Sequence, residues 1–246
     1  MYCTSCLVTT SKPRVINLAF KKARWLATRC TVFESINYYS ERGSNVYCSF
    51  LDASKAFDRL VHSGLFLKLL QRRVPLVFLN ILVYWYSDLQ CRVRWGEAYS
   101  GWFSIIAGVR QGGILSPDLY SIYVDDLVAI LKDLGIGCHL RGIFLSILLY
   151  ADDIALTSPS LRGLQILLNA CEEYCKTWDI CLNVKKTKNI AFGHSVSDLC
   201  PLTMSNTSIE WVEEWKYLGV TVKSHCYFNC SLDERVRSFS RCLNAI

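Results

Sequence analysis

The sequence lacks an apolar run long enough to span a membrane as a helix. Its longest charge-free apolar stretch, Val74 to Tyr86, falls short of the ~20 residues that a span needs. A second apolar stretch, Ile143 to Leu156, carries Asp152 and Asp153 at its heart. The opening residues, MYCTSCLVTTSKPR, lack the continuous apolar core of a secretory signal. Low-complexity linkers and internal repeats are absent as well. Charged residues are few, 20% against 52% hydrophobic, which excludes wholesale disorder. Neither sign of charge dominates: 27 Lys+Arg face 21 Asp+Glu, a net charge of +6. That mild excess permits a nucleic-acid partner without requiring one. Mean hydropathy is +0.22. With no membrane span expected, surfaces that pack on other parts of a longer protein account for it.

Cysteine, in contrast, is plentiful: 13 residues, an odd number, scattered through apolar stretches. Without a signal peptide this pattern predicts mostly buried free thiols in a reducing compartment, nucleus or cytoplasm, and a chain that is not secreted. Zinc is disfavoured. Cys3 and Cys6 form a lone CxxC with no second pair at finger spacing. Cys171/Cys175 and Cys226/Cys230 stand four apart, a spacing that puts each pair on one helix face and belongs to a core.

At 246 residues the chain makes one large domain or two small ones. Residues 1–30 are poorly patterned. The pattern then predicts a short helix over 31–41 and a buried strand at VYCSFL (Val46–Leu51), ending at Asp52. Helices follow over 60–73 and 76–85, the second in the core. Cys91–Trp95 and Gly101–Ile106 read as a hairpin. Ser116 as cap and Pro117 at the first position open a helix to about Lys132. Ile143–Tyr150 and Ile154–Thr157 form a hairpin about Ala151-Asp152-Asp153. An amphipathic helix spans 161–178, with short strands at 181–184 and 189–192, a strand or hairpin at 215–222, and a helix beginning at Leu232. Strands and helices without strict alternation predict α+β with an antiparallel sheet backed by helices.

Chemistry concentrates in the acids. Adjacent carboxylates inside an apolar run are costly unless paired, solvated in a turn or bound to a cation. Eight largely apolar neighbours upstream favour the cation. Asp52, at a strand end, is aimed at a cleft if its strand neighbours the 143–157 hairpin. Three converging carboxylates suit two Mg²⁺ ions ~3.5–4 Å apart that clamp both oxygens of a phosphoryl transfer. Asp58, in AFDRL, reads as an acid at a helix start. The Gly108–Gly113 loop lets a backbone approach a ligand closely, and without GKS or GKT it is not a P-loop.

FLDASKAFD (Phe50–Asp58), GVRQGGILSP (Gly108–Pro117), YADD (Tyr150–Asp153), NVKKTK (Asn183–Lys188) and KYLGV (Lys216–Val220) occur in this order. Together they resemble motifs A to E of a reverse transcriptase of the non-LTR, LINE-type retrotransposon kind. The resemblance implies a polymerase palm over 31–230 with partial fingers, and a truncated thumb helix over 231–246. It implies RNA-directed DNA synthesis from dNTPs, an RNA template and a DNA primer. Mg²⁺ serves as cofactor, or Mn²⁺ in its place, held by Asp52, Asp152 and Asp153. Phe57 falls at the steric gate that excludes a 2′-hydroxyl, although a core aromatic is the plainer reading. Arg110, Gln111 and Gly112 fall where nucleotide and template are contacted. Lys186 falls where a lysine protonates the leaving pyrophosphate, while Lys185 and Lys188 read as solvated charge. Tyr217, Leu218 and Gly219 match the primer grip.

The basic fingers element expected upstream of motif A is not seen in Lys21–Thr28, and endonuclease and thumb regions are expected on a longer parent. Two other readings follow: a catalytically inactive, retrotransposon-derived nucleic-acid-binding fragment, and a template-free palm nucleotidyltransferase such as a cyclase. RQGG and KYLG argue against the second.

Overall fold

The computed structural model describes residues 34–110, 112–193, 199–218, 220–225 and 229–231. The N-terminal segment with its CxxC, Gln111, Gly219 and the helix expected from Leu232 lie outside them.

Residues 34–40 form the described part of α1, followed by β1 (Val46–Ser54), α2 (His62–Gln71) and α3 (Leu76–Ser87). Four two-residue strands come next: β2 (Gln90–Cys91), β3 (Arg94–Trp95), β4 (Ala98–Tyr99) and β5 (Phe103–Ser104). Then come α4 (Ser116–Val124), α5 (Asp126–Asp133), β6 (His139–Leu140), β7 (Ile143–Phe144), β8 (Ile147–Tyr150), β9 (Asp153–Ser158) and α6 (Leu161–Thr177). The remainder is β10 (Cys181–Leu182), β11 (Lys188–Phe192), β12 (Leu202–Met204), β13 (Thr207–Trp211), β14 (Glu214–Tyr217), β15 (Val220–Lys223) and β16 (Asn229–Ser231).

The main sheet runs β12-β13-β11-β1-β9-β8, with β10 also paired to β1. β1 is its central strand because both of its faces are covered. Leu51 and Ala53 join the core built with α2, α4 and α6. Val46, Cys48 and Phe50 point the other way, to Ile36 of α1 and to Tyr217 and Val222 of the β14–β15 hairpin. Two buried faces explain why this strand reads as a continuous apolar run instead of an alternating one. All pairings in the sheet are antiparallel except β11 with β13, which is parallel. The expected antiparallel sheet thus carries one parallel pair.

Other expectations are corrected too. α2 starts at His62, so Asp58 lies in the turn after β1, outside any first helical turn. The helix expected from Ser116 is capped at Leu115, without a side-chain cap, and is interrupted at Asp125. Ser116 Oγ instead donates to the Arg110 carbonyl at 2.5 Å. β7 and β8 are separate because Leu145 N–H bonds the Cys138 carbonyl at 2.9 Å. Only Leu79, Leu82 and Tyr86 of α3 are buried, so this helix is not core throughout. Among the described residues no helix is long and apolar enough to cross a membrane. Cys171 and Cys175 are buried on one face of α6, as their spacing predicts.

Candidate active site

β1 carries Asp52 beyond its apolar run, and the register sets Asp52 directly opposite Asp153, the first residue of β9. Between β8 and β9 the chain turns through Ala151 at φ 52°. The Ala53 N–H donates to the Asp152 carbonyl at 3.1 Å, pinning the turn to β1. Asp152 itself is exposed, whereas Asp52 and Asp153 are partly buried. The acid pair therefore sits at the open end of the sheet and not inside it. Burial pushes the Asp153 carboxyl up to about 6, and the charges of Asp152 and Asp52 add to the push. Asp153 thus feels both of the other carboxylates.

Asn183 hangs the next loop from Asp52. Its N–H donates to the Asp52 carbonyl at 2.9 Å, and its own carbonyl accepts from Lys186 N–H at 3.1 Å and Thr187 Oγ1 at 2.9 Å. That turn brings Lys186 Nζ to 3.5 Å from Asp52 Oδ2, an ion pair open to solvent. Lys188 instead points away and pairs with Glu210. The sequence reading missed Asn183, although an Asn opening a polar run is a turn signal.

The glycine loop is fastened beside this end. Gly108 adopts φ +90°, and a Cβ there would meet the Asp58 carbonyl oxygen at 2.8 Å. Gly108 N–H donates to the Leu60 carbonyl at 2.7 Å and Val109 N–H to the Phe57 carbonyl at 2.8 Å. The loop presents Arg110 to solvent, with its guanidinium 5.2 Å from the Trp85 ring centre. A cavity of about 480 Å³ opens here, lined by Phe57, Arg110, Gly112, Gly113, Ile114, Ser116 and Pro117. Phe57 packs on Tyr120 with ring centres 4.8 Å apart. Burial raises the Tyr120 phenol, and the charges of Cys175 and Asp152 add to the rise. Phe57 thus both packs on a core ring and faces the cavity.

Tyr217 is 4% exposed and stacks on Phe50, ring centres 4.7 Å apart. Its hydroxyl is buried without a hydrogen-bond partner among the described residues. Burial pushes its phenol above the ordinary value, and the charge of Asp153 adds to the push. Tyr217 thus packs on the strand that carries Asp52, and Leu218, next along the chain, turns at φ 50°.

Asp52, Asp152 and Asp153 offer the hard oxygen donors that a divalent cation takes. Among the described residues no cluster of three or more His, Cys, Asp or Glu forms a ready cage. A Mg²⁺ site completed by substrate phosphates and water needs only one or two carboxylates, so the donor set fits.

A second cluster went unread in the sequence. Lys68 is buried in α2, donates to Asp126 Oδ2 at 2.8 Å and Tyr174 OH at 2.5 Å, and lies 3.8 Å from the Trp178 ring centre. Burial lowers its ammonium, against the pull of Asp126.

This sheet, with carboxylates at its open end and helices behind, has the architecture of a polymerase palm. The solved structure of apo telomerase from Candida tropicalis, truncated from its C-terminal domain, is similar over 88% of this chain and 40% of its own, with a TM-score of 0.58 at 14% identity. A family model described as reverse transcriptase (RNA-dependent DNA polymerase) matches residues 9–222, and the chain belongs to that family. Its relatives are of the non-LTR, LINE type. The RNA-directed DNA polymerase from mobile element jockey of Drosophila funebris is 32% identical over 77% of this chain and 21% of its own length. The probable RNA-directed DNA polymerase from transposon BS of Drosophila melanogaster is 32% identical over 78% and 22%. A Pol polyprotein from a type-1 retrotransposable element R2 of Nasonia vitripennis is 27% identical over 73% and 18%. The chain spans about a fifth of the length of these relatives.

Proposed function

We propose that residues 31–230 are the palm and partial fingers of an RNA-directed DNA polymerase. It joins dNTPs to the 3′-hydroxyl of a DNA primer paired with an RNA template, inside the cell. The observation that carries this reading is the opposition of Asp52 and Asp153, with Asp152 in the turn between strands and Lys186 beside Asp52. The primer 3′-hydroxyl gives its proton to solvent as its oxygen bonds to the α-phosphorus, the bond to the bridging β-phosphate oxygen breaks, and pyrophosphate leaves. Divalent ions, Mg²⁺ foremost, supply charge neutralisation and an acidified 3′-hydroxyl when bound. Asp52 and Asp152 hold and orient the cations, and Asp153 adds negative charge from a partly buried position.

Lys186 offers its proton to the departing pyrophosphate. Arg110, 5.2 Å from the Trp85 ring centre, meets the incoming nucleotide or template, and Gly112 lines the same cavity; Gln111 is assigned to that contact by its motif alone. Phe57 stands on the cavity wall where a ribose 2′-hydroxyl would clash. Tyr217 and the turn at Leu218 support the primer end, and Gly219 is assigned to the same role by its motif alone. Endonuclease and thumb regions belong to the longer parent.

Template-dependent primer extension by the full chain tests this reading. The chain should copy RNA with dNTPs and discriminate against ribonucleotides. Phe57→Ala should relax that discrimination by about 10–100-fold, the range that loss of a pocket contact produces. Equal use of both sugars by the unaltered chain would remove Phe57 from this role.

A further inference from the structure

A two-layered ribbon between α3 and the glycine loop is used by none of the chemistry above. β2 pairs with β5 through Gln90–Ser104 and Cys91–Phe103, and β3 pairs with β4 through Arg94–Tyr99 and Trp95–Ala98. Ser100 staples the two pairs: Val93 N–H donates to Ser100 Oγ and Ser100 N–H donates to the Val93 carbonyl, each at 2.9 Å. Every residue from Gln90 to Ser104 is exposed. Trp95 is 85% exposed and Trp102 64%, with Tyr99 and Phe103 also open. Rings left this open to water gain little from burial.

The cations are interleaved with those rings. The Arg92 guanidinium lies 4.1 Å from the Tyr99 ring centre and 4.9 Å from that of Trp102. Arg94 lies 5.6 Å from Tyr99. A guanidinium stacked on a ring keeps its in-plane N–H groups directed outward, where they match phosphate oxygens. Exposed rings accept nucleobases face to face, whatever the base. A contiguous aliphatic patch would suit a protein partner better than this alternation does. The ribbon is also continuous with the proposed site. β5 leads through Ala107, bridged to Val61, into Gly108 and Arg110.

We propose that the β2–β5 ribbon is a binding site for single-stranded nucleic acid. Tyr99 and Trp102 stack unpaired bases, and Arg92 and Arg94 neutralise the adjoining phosphates. The identity of that strand as the unpaired template rests on the polymerase reading; the binding site itself does not.

The test is fluorescence anisotropy of a labelled oligouridylate with the full chain, without nucleotides, beside primer extension on the same preparations. Tyr99→Ala and Trp102→Ala should each weaken RNA binding about 10-fold, as loss of a stacking platform does, and Trp102→Phe should restore most of it. Arg92→Ala should weaken binding and flatten its salt dependence. Phe78→Ala, an exposed ring on α3, should bind like the unaltered chain. Loss of binding in the ribbon variants supports the site even if no preparation extends a primer, which would sink the polymerase reading alone. Unchanged RNA binding with intact extension would overturn the ribbon site and leave the polymerase standing. Unchanged RNA binding together with a loss of self-association in sedimentation would assign the surface to a second copy, and would overturn it equally.

Discussion

Asp153 holds its proton more tightly in the folded chain than it would unfolded, because burial and two neighbouring carboxylates oppose its charge. Its ionisation therefore works against folding. The penalty is absent below an unfolded carboxylate pKa of ~3.9. It grows as pH rises and is complete above the folded value of about 6. In chelator at neutral pH, Asp153→Asn should raise the melting temperature by about 2 °C, a solvent-discounted effect of under ~1 kcal/mol. At pH 4 the gain should vanish, and a gain independent of pH would contradict the electrostatic account.

Lys68 is the opposite case, a buried cation supported on every side. Lys68→Ala should cost about 3 kcal/mol in denaturant melts, because it leaves Asp126 short of a partner and removes ring contacts. Lys68→Met keeps the stem and should cost less. None of this was legible in GLFLKLLQRR. A lysine among leucines reads as the polar face of a helix, and only the fold brings Asp126 of α5 and Tyr174 of α6 to it.

At the scale of elements, the strands that carry the acids were legible because both of their faces are buried. A long apolar run that ends in an acid is a buried strand delivering its charge to the edge of the core. The site loops were legible as motifs, but their fastening was not. Gly108 shows why. Its motif position says only that a glycine is tolerated, while the structure shows the Asp58 carbonyl filling the space of a Cβ. Gly108→Ala should destabilise the chain by about 1–3 kcal/mol and displace Arg110, read as a lower melting temperature with weaker nucleotide binding.

The β12–β13 hairpin escaped notice because its strands are short and half polar, so period-2 alternation has little length in which to show. The break between α4 and α5 was hidden for another reason. Its cause lies outside the helix, where Asp125 and Asp126 turn toward Arg72 and Lys68.

For the whole molecule, the high hydropathy has a visible counterpart. α3 exposes Leu76, Val77, Phe78, Ile81 and Tyr84, where the sequence had suggested core. The curated relatives, of which the chain spans about a fifth, have room for parts that cover such a face.

The central claim is that Asp52 and Asp152 make this palm a polymerase. Single-turnover primer extension on an RNA template, with Mg²⁺ and dNTPs, tests it with Asp52→Asn and Asp152→Asn beside the unaltered chain. Circular dichroism should first show all three folded alike. Extension should fall more than ~100-fold in each variant, beyond the loss that outer partners of a metal ligand cause. Extension that survives in either folded variant would contradict the assignment and move the chemistry elsewhere.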